Sequence, residues 1–362
     1  MLNGHEISIF FGALVALGCG GNAVDLGHGE NRGWADAPAA GSSATAPQTI
    51  YQSEEAIVGF ALDDDTLYAL VTHGETFELV SCRLERCRSE RTILFSGSWL
   101  DQPSPLSTPL VLSGGWLYWI VGNGGRDGIA ACPTTGCGQP SLVPTLVRGG
   151  VTGDGEGGAY WFDREGALMR IAANSPAAER VRDCAGEIGE PSSGVARGDY
   201  LYFSDVSSVR RIRKDGTRAP ELLATDDMIF GLGLAADAVY YASQVLTGRI
   251  VQCPVDGCTT GGRTLAANQR WPEGVQINGT EAFWLNNQRF SQAPTNATLS
   301  HATLRSCALP DCAAVNDRVS DLLLDGVIRY ENAGPKFAVS SRAIVWLEQF
   351  HGIGTSLRRL TR

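Results

Sequence analysis

A short aromatic unit returns along nearly the whole chain and limits what the chain can fold into. Its copies are Leu117-Tyr118-Trp119, Ala159-Tyr160-Trp161, Leu201-Tyr202-Phe203, Val239-Tyr240-Tyr241 and Ala282-Phe283-Trp284. Weaker copies are Leu67-Tyr68-Ala69 and Ile344-Val345-Trp346. From Tyr68 to Val345 the central residues are separated by 50, 42, 42, 38, 43 and 62 positions. Neighbours on a strand point to opposite faces, so two adjacent bulky apolar residues require burial on both sides. A repeated unit that cannot bury its own faces must stack against its copies.

The surroundings of each copy repeat as well. About nine residues upstream stand Gly59, Pro109, Gly150, Gly194, Gly231, Gly274 and Lys336. Glycine there lets backbones crowd around a narrow axis. Tight turns follow at Asp63-Asp64-Asp65, Ser113-Gly114-Gly115, Gly155 to Gly158 and Arg197-Gly198-Asp199, where Gly and Asp tolerate the positive φ of hairpins. A third run ends at a cysteine in several copies, as in Arg249-Ile250-Val251-Gln252, and an outer run follows, as in Arg91-Thr92-Ile93-Leu94. Four short strands in about 40 to 45 residues make a propeller blade. The expectation is an all-β, seven-bladed β-propeller, with six blades as the alternative count. The last repeat lacks an outer strand, and Gln48-Thr49-Ile50-Tyr51-Gln52 is spare at the other end, so the terminal strands are expected to close the ring.

Strings such as LYW…GIAACPTTGC, VYY…GRIVQCPVDGC and LYF…VRRIRKDGTRAPELLA resemble the secreted propeller-repeat lipoproteins of myxobacterial type. More distantly they are similar to TolB-like, YWTD and NHL propellers. The resemblance covers roughly residues 48–362 and implies the fold alone, since such propellers range from lactonases to receptors and scaffolds.

The chain divides into a signal peptide at 1–18, a Gly/Ala/Ser/Pro-rich tether at 19–47 and the propeller at 48–362. The apolar run Ile7 to Gly18 is too short to span a bilayer and ends at Cys19 in a pattern similar to a bacterial lipobox. Cys19 is therefore the expected lipidation site, although the first residues carry no Lys or Arg and the Leu sits one place late. The tether's composition suits a flexible linker. The protein is expected to be exported, as an outer-membrane or cell-surface lipoprotein or else secreted, and to meet the membrane only through lipid.

Ten cysteines divide into Cys19, Cys184 and four pairs: Cys82/Cys87, Cys132/Cys137, Cys253/Cys258 and Cys307/Cys312. Each pair brackets one turn, which brings the two sulfurs within disulfide reach. Closing so small a loop contributes about 2 kcal/mol in the chain-entropy model. A four-cysteine zinc site would need two pairs at one centre, but each pair belongs to its own blade. Cys184 is left as a buried or partly buried thiol.

Net charge is −10, which disfavours nucleic acid or an anionic membrane as a partner through a broad basic surface. The local cluster Arg210, Arg211, Arg213, Lys214 and Arg218 reads as a solvated outer strand and turn, with an acidic-partner patch as the alternative. The histidines, His5, His28, His73, His301 and His351, show no metal spacing, and no G-x-S-x-G occurs. The acidic turns at Asp63 to Asp65 and at Asp154 to Glu156 read as turn chemistry rather than calcium loops.

The mouth of the ring remains. It is expected where the inner strands begin and the second strands end, with the cysteine turns on the opposite face. Its candidate collar is Glu55, Arg148, Phe230, Trp271, Glu273 and Lys336. Two inward acids, Glu55 and Glu273, are too few to assign a catalytic centre, a metal or a cofactor. The expected function is non-catalytic binding or scaffolding outside the cytoplasm, by a monomer, toward a protein or small ligand. The alternative is a calcium-dependent lactonase or esterase of the gluconolactonase type, using Glu273 and Glu55.

Overall fold

Seven antiparallel sheets stand around one axis, and each begins with an innermost strand that touches the innermost strands of its two neighbours. This computed structural model describes residues 46–53, 56–98, 104–105, 110–122, 128–173, 175, 177–189, 191, 193–244, 247–258, 261–288, 299–325, 336–350 and 354–362. All of these lie in one unit, Ala44–Arg362. Every helix or strand assigned among them is a strand. The expected Cys19, all of the tether but Ala46 and Pro47, and Glu55 lie outside the described residues.

Blades 1 to 6 occupy residues 57–98, 104–144, 147–183, 193–225, 229–269 and 272–325. Blade 7 takes Phe337–Val339, Ala343–Phe350 and Gly354–Thr361, and its outer strand is Gln48–Ser53 from the other end of the propeller. The terminal closure therefore forms as the spare strand predicts. Gln48 pairs with Arg359 and Ser53 with Thr355, and Ile57 N donates to Thr355 Oγ1 at 2.9 Å. Blade 2 departs from the pattern. Its inner strand is two pieces, Ser104–Pro105 and Val111–Ser113, and Pro109 falls outside the described residues.

The core is seven clusters, one at each interface between adjacent blades. The repeated aromatic pair explains this. Tyr118 packs toward blade 3 while Trp119 packs toward blade 1, and Tyr240 toward blade 6 while Tyr241 packs toward blade 4. In every blade the central residue faces the next blade and its successor faces the previous one, as strand alternation requires. The phase fixes which neighbour any later residue on the second strand will meet.

At Gly194, Gly231 and Gly274 the inner glycines work as the crowding argument expects, whereas in blade 3 the crowded residue is Gly149 and Gly150 stands in open space. A Cβ on Gly231 would sit 2.7 Å from Gly274 N on the next inner strand. Gly149, Gly231 and Gly274 have φ of 82°, 81° and 66°, each at a bulge where the register with the second strand slips. A bulge turns the preceding side chain out of the regular alternation.

Four disulfides close the turns between third and outer strands, Cys82–Cys87, Cys132–Cys137, Cys253–Cys258 and Cys307–Cys312, with Cα separations of 4.9, 5.7, 5.5 and 5.0 Å. These turns lie on the floor, opposite the mouth, and two of them clasp the preceding blade: Cys137 N donates to Leu94 O and Cys258 N to Leu223 O. Cys184 is a free, buried thiol, and burial pushes its pKa up to about 11. In blade 4 the same turn has no cysteine. Asp215 holds it, accepting from Thr217 N at 3.0 Å and Thr217 Oγ1 at 2.7 Å.

Candidate functional site

The bulged glycines place three of the expected collar residues in equivalent positions. Arg148, Phe230 and Glu273 each precede a left-handed glycine on an inner strand at the mouth. Arg148 reaches over the Gly166 turn of its own blade. Glu273 meets Lys336, which leads into the inner strand of blade 7, at 3.2 Å. Both side chains are more than four-fifths buried. Glu273 and Lys336 are thus brought together across two blades. Phe230 stands one blade away, Arg148 three blades away, and Trp271 just before the inner strand of blade 6.

A second tier of polar groups lies behind the collar, where second strands end. In blade 5, Asp226 accepts from Ser243 Oγ at 3.1 Å and pairs with Arg249 at 2.8 Å. At the entry to blade 6 the equivalent of Asp226 is Gln269, the last residue of blade 5's outer strand. Its Oε1 accepts from Trp284 Nε1 at 3.0 Å, Asn286 Nδ2 at 3.0 Å and Arg305 Nη1 at 3.1 Å. In blade 7, Glu348 accepts from Trp346 Nε1 at 2.8 Å and pairs with Arg358 at 3.2 Å. In blade 4, Asp205 accepts from Ser208 Oγ and from the amides of Ser207, Ser208 and Gly189. Burial alone would raise the Asp205 pKa, but these four donors outweigh it and hold the carboxyl below its usual range.

Sequence reasoning missed this tier. The second strand of blade 6 runs past its aromatic unit to Gln288, and the third begins at Leu299. Eight successive residue pairs, from Glu281–Ala308 to Gln288–His301, extend the ladder past the aromatic unit. The usable signal was the repeat itself. Gln244 and Asn287 both stand four residues after their central aromatics, on the side that faces the next blade.

The basic cluster needs a correction. Arg210, Arg211 and Arg213 lie on the third strand of blade 4, not on an outer strand, which is Glu221–Thr225. Arg211 pairs with Glu221 at 2.7 Å and Arg213 with Asp215 at 3.2 Å, while both stack on Tyr200. Arg211 also donates to Val255 O of blade 5 at 2.7 Å, so these charges are met by blade 4 and its neighbour. Asp154 likewise caps its own turn, accepting from Glu156 N at 2.7 Å and Gly158 N at 2.8 Å, with Ser113 Oγ at 2.9 Å. That is turn chemistry.

The floor end of the channel holds a cavity of about 440 Å³ between the inner strands of blades 4, 5 and 6. Val195, Leu232, Leu234, Val275 and Ile277 line it together with Arg197. Gln276 also lines it, but its amide is bound to Phe337 O at 2.5 Å and Val339 N at 3.1 Å.

The ring defines a seven-bladed β-propeller with antiparallel blades and a closure made by both ends of the propeller. No model of a known protein family matches the chain, and no curated protein matches it by sequence. By fold it is similar to an oligogalacturonate lyase of Vibrio parahaemolyticus, with TM-score 0.59 and 8% identity over 87% of this chain and 93% of that one. An oligogalacturonate lyase in complex with manganese gives TM-score 0.56 and 12% identity over 86% of this chain and 89% of that one. The WD40 β-propeller domain of Doa1 gives 0.50 and 10% over 88% and 97%. At these identities the likeness concerns the fold alone. Among the described residues no three or more His, Cys, Asp or Glu side chains gather as a metal site would need.

Proposed function

We propose that this chain is an exported, non-catalytic binding or scaffold protein of bacterial lipoprotein type, its ring hung from a membrane by lipid on Cys19. The observation that carries the reading is the state of the charged groups at the mouth. Glu273 is paired with Lys336, Asp226 with Arg249 and Glu348 with Arg358. Among the described carboxyls at the mouth, Asp205 is held below its usual range by its four donors. A general acid or base would be tuned upward, toward neutrality. Four disulfides fit an oxidising compartment.

The lactonase reading asks Glu273 to hold calcium, which requires Lys336 to leave first, since an ammonium at 3.2 Å competes for the same oxygen. The test is a metal and activity analysis of purified protein. The expected result is no lactone or ester hydrolysis with added calcium or manganese, and no change in melting temperature with a chelator. Stoichiometric calcium that disappears in Glu273→Gln would overturn the reading. Cys19→Ala should move the protein from membrane to soluble fractions, and a soluble wild type would remove the anchor.

A further inference from the structure

Resting on that binding reading, we propose that the mouth at blades 6 and 7 recognises a neutral polyhydroxylated ligand, a saccharide, through Trp271, Glu273, Asn287 and Lys336. Two buried polar side chains motivate this. Asn287 is fully buried, and neither its Oδ1 nor its Nδ2 has a partner. Ser356 is 2% exposed, and its Oγ has none either. Strand alternation puts both on one interface. Asn286 turns back to Gln269, so Asn287 faces blade 7. Ser356 is the cross-strand partner of Glu348, two residues on from Trp346, so it faces blade 6. Buried amides without partners are rare in native structures because desolvation goes uncompensated. Blade 5 shows the satisfied form: Gln244 Nε2, at the place of Asn287, donates to Pro272 O at 3.1 Å.

The groups above them supply the rest of a sugar site. Asn287 N donates to Trp271 O at 3.4 Å, which ties the amide's strand to the tryptophan. Trp271 is held at φ of 43°, a left-handed conformation costly for a bulky residue, with about a third of its surface exposed. An exposed indole offers an apolar face to the C–H side of a sugar ring. Beside it, Glu273 and Lys336 form a pair of net zero charge. A hydroxyl both donates and accepts, so a vicinal diol can bridge carboxylate and ammonium without separating them. An anion or a cation would have to break the pair, and the net charge of −10 opposes polyanions. Asn287 and Ser356, both buried, then meet the ligand through a water that carries one of its hydroxyls.

The experiment titrates the full exported chain with a panel of neutral oligosaccharides, a matched acidic panel and an acidic peptide, using calorimetry and tryptophan fluorescence. The expected result is binding of at least one neutral saccharide with an indole signal. Affinity should fall about tenfold or more in Trp271→Ala and in Asn287→Leu, equivalent to about 1.4 kcal/mol. Asn287→Leu should melt no lower than wild type, which separates lost recognition from lost folding. The proposal is overturned if no neutral saccharide binds at millimolar concentration, if both variants bind like wild type, or if only acidic ligands bind. Metal-dependent turnover of a bound saccharide would sink the non-catalytic reading and leave recognition standing. Absence of saccharide binding would sink recognition and leave the scaffold reading standing.

Discussion

Blades 5 and 6 share one backbone and differ in how they finish it. Met228 and Trp271 occupy the same place before the inner strand, both left-handed, with φ of 52° and 43°. The carbonyl of each accepts from the end of its own second strand, Gln244 N at 3.0 Å and Asn287 N at 3.4 Å. Above that frame the chemistry diverges. Blade 5 has an ion pair, Asp226–Arg249, and a glutamine that reaches the next blade. Blade 6 instead meets an amide hub, Gln269 at the end of blade 5's outer strand, and has an asparagine one methylene shorter that reaches nothing. The repeat therefore conserves geometry blade to blade while leaving end-of-strand polar residues free to vary. One blade closes on its neighbour, and the next keeps unspent hydrogen-bonding capacity.

The largest test of the shared backbone is at the inner glycines. Gly231→Ala should lose about 3 kcal/mol, from a left-handed backbone plus overpacking against Gly274 N. Gly274→Ala should lose about 1–2 kcal/mol, since its nearest neighbour is the edge of the Phe337 ring at 3.2 Å. Urea midpoints of the two variants check the order, and a reversed order would break the equivalence.

Next come the two hubs. Gln269→Ala leaves Trp284 Nε1 and Asn286 Nδ2 without their acceptor and should cost about 2–3 kcal/mol. Asp226→Asn should cost about 1 kcal/mol, because Arg249 is 39% exposed and solvent screens the pair. The end-of-strand amides sharpen the contrast further. Gln244→Met should lose about 1 kcal/mol with its bond to Pro272 O, whereas Asn287→Leu should lose nothing or gain, since it removes an unpartnered buried amide. Equal losses in thermal melts would erase the distinction between the blades.

The smallest effect is on acid stability. Blade 6 carries Glu281 where blade 5 has Ala238. Burial would raise the Glu281 pKa, but Ser306 and Arg318, with Arg362, more than offset it and leave it lowered. A depressed folded pKa adds stability above the unfolded value of about 4.3, lost as pH falls through the folded value. Wild type should therefore lose more melting temperature between pH 5 and pH 3 than Glu281→Gln. Identical slopes would show that the shift is not felt in folding.

The ring was legible in sequence because its determinants are local or periodic. The pair Tyr240-Tyr241 announces a strand buried on both faces, and C-x-x-x-x-C announces a bridged turn, with no need to know what lies across the axis. Closure was legible because a strand was missing at one end and spare at the other. Of the site, only positions were legible. Glu273 and Lys336 are 63 residues apart in sequence, and only the stacking of blades 6 and 7 brings them to 3.2 Å. The extent of the blade 6 ladder was hidden because Asn286, Asn287 and Gln288 at the end of its second strand carry weak strand signals, while pairing with Thr303, Ala302 and His301 holds them in register. Asn287 is unremarkable until it is set beside Gln244.

The closure of blade 7 has a mechanical consequence. A pull on the chain before Gln48 enters the ring along the axis of the strand Gln48–Ser53, which lies antiparallel to Gly354–Thr361. Load applied along a paired strand shears its ladder bonds together rather than peeling them one at a time. Arg358, bonded to Pro47 O at 3.3 Å, and Arg91, bonded to Tyr51 OH at 3.0 Å, brace both sides of that strand. A load on that end would act along the seam's strongest direction, and the ring would yield there only after those bonds had stretched in parallel.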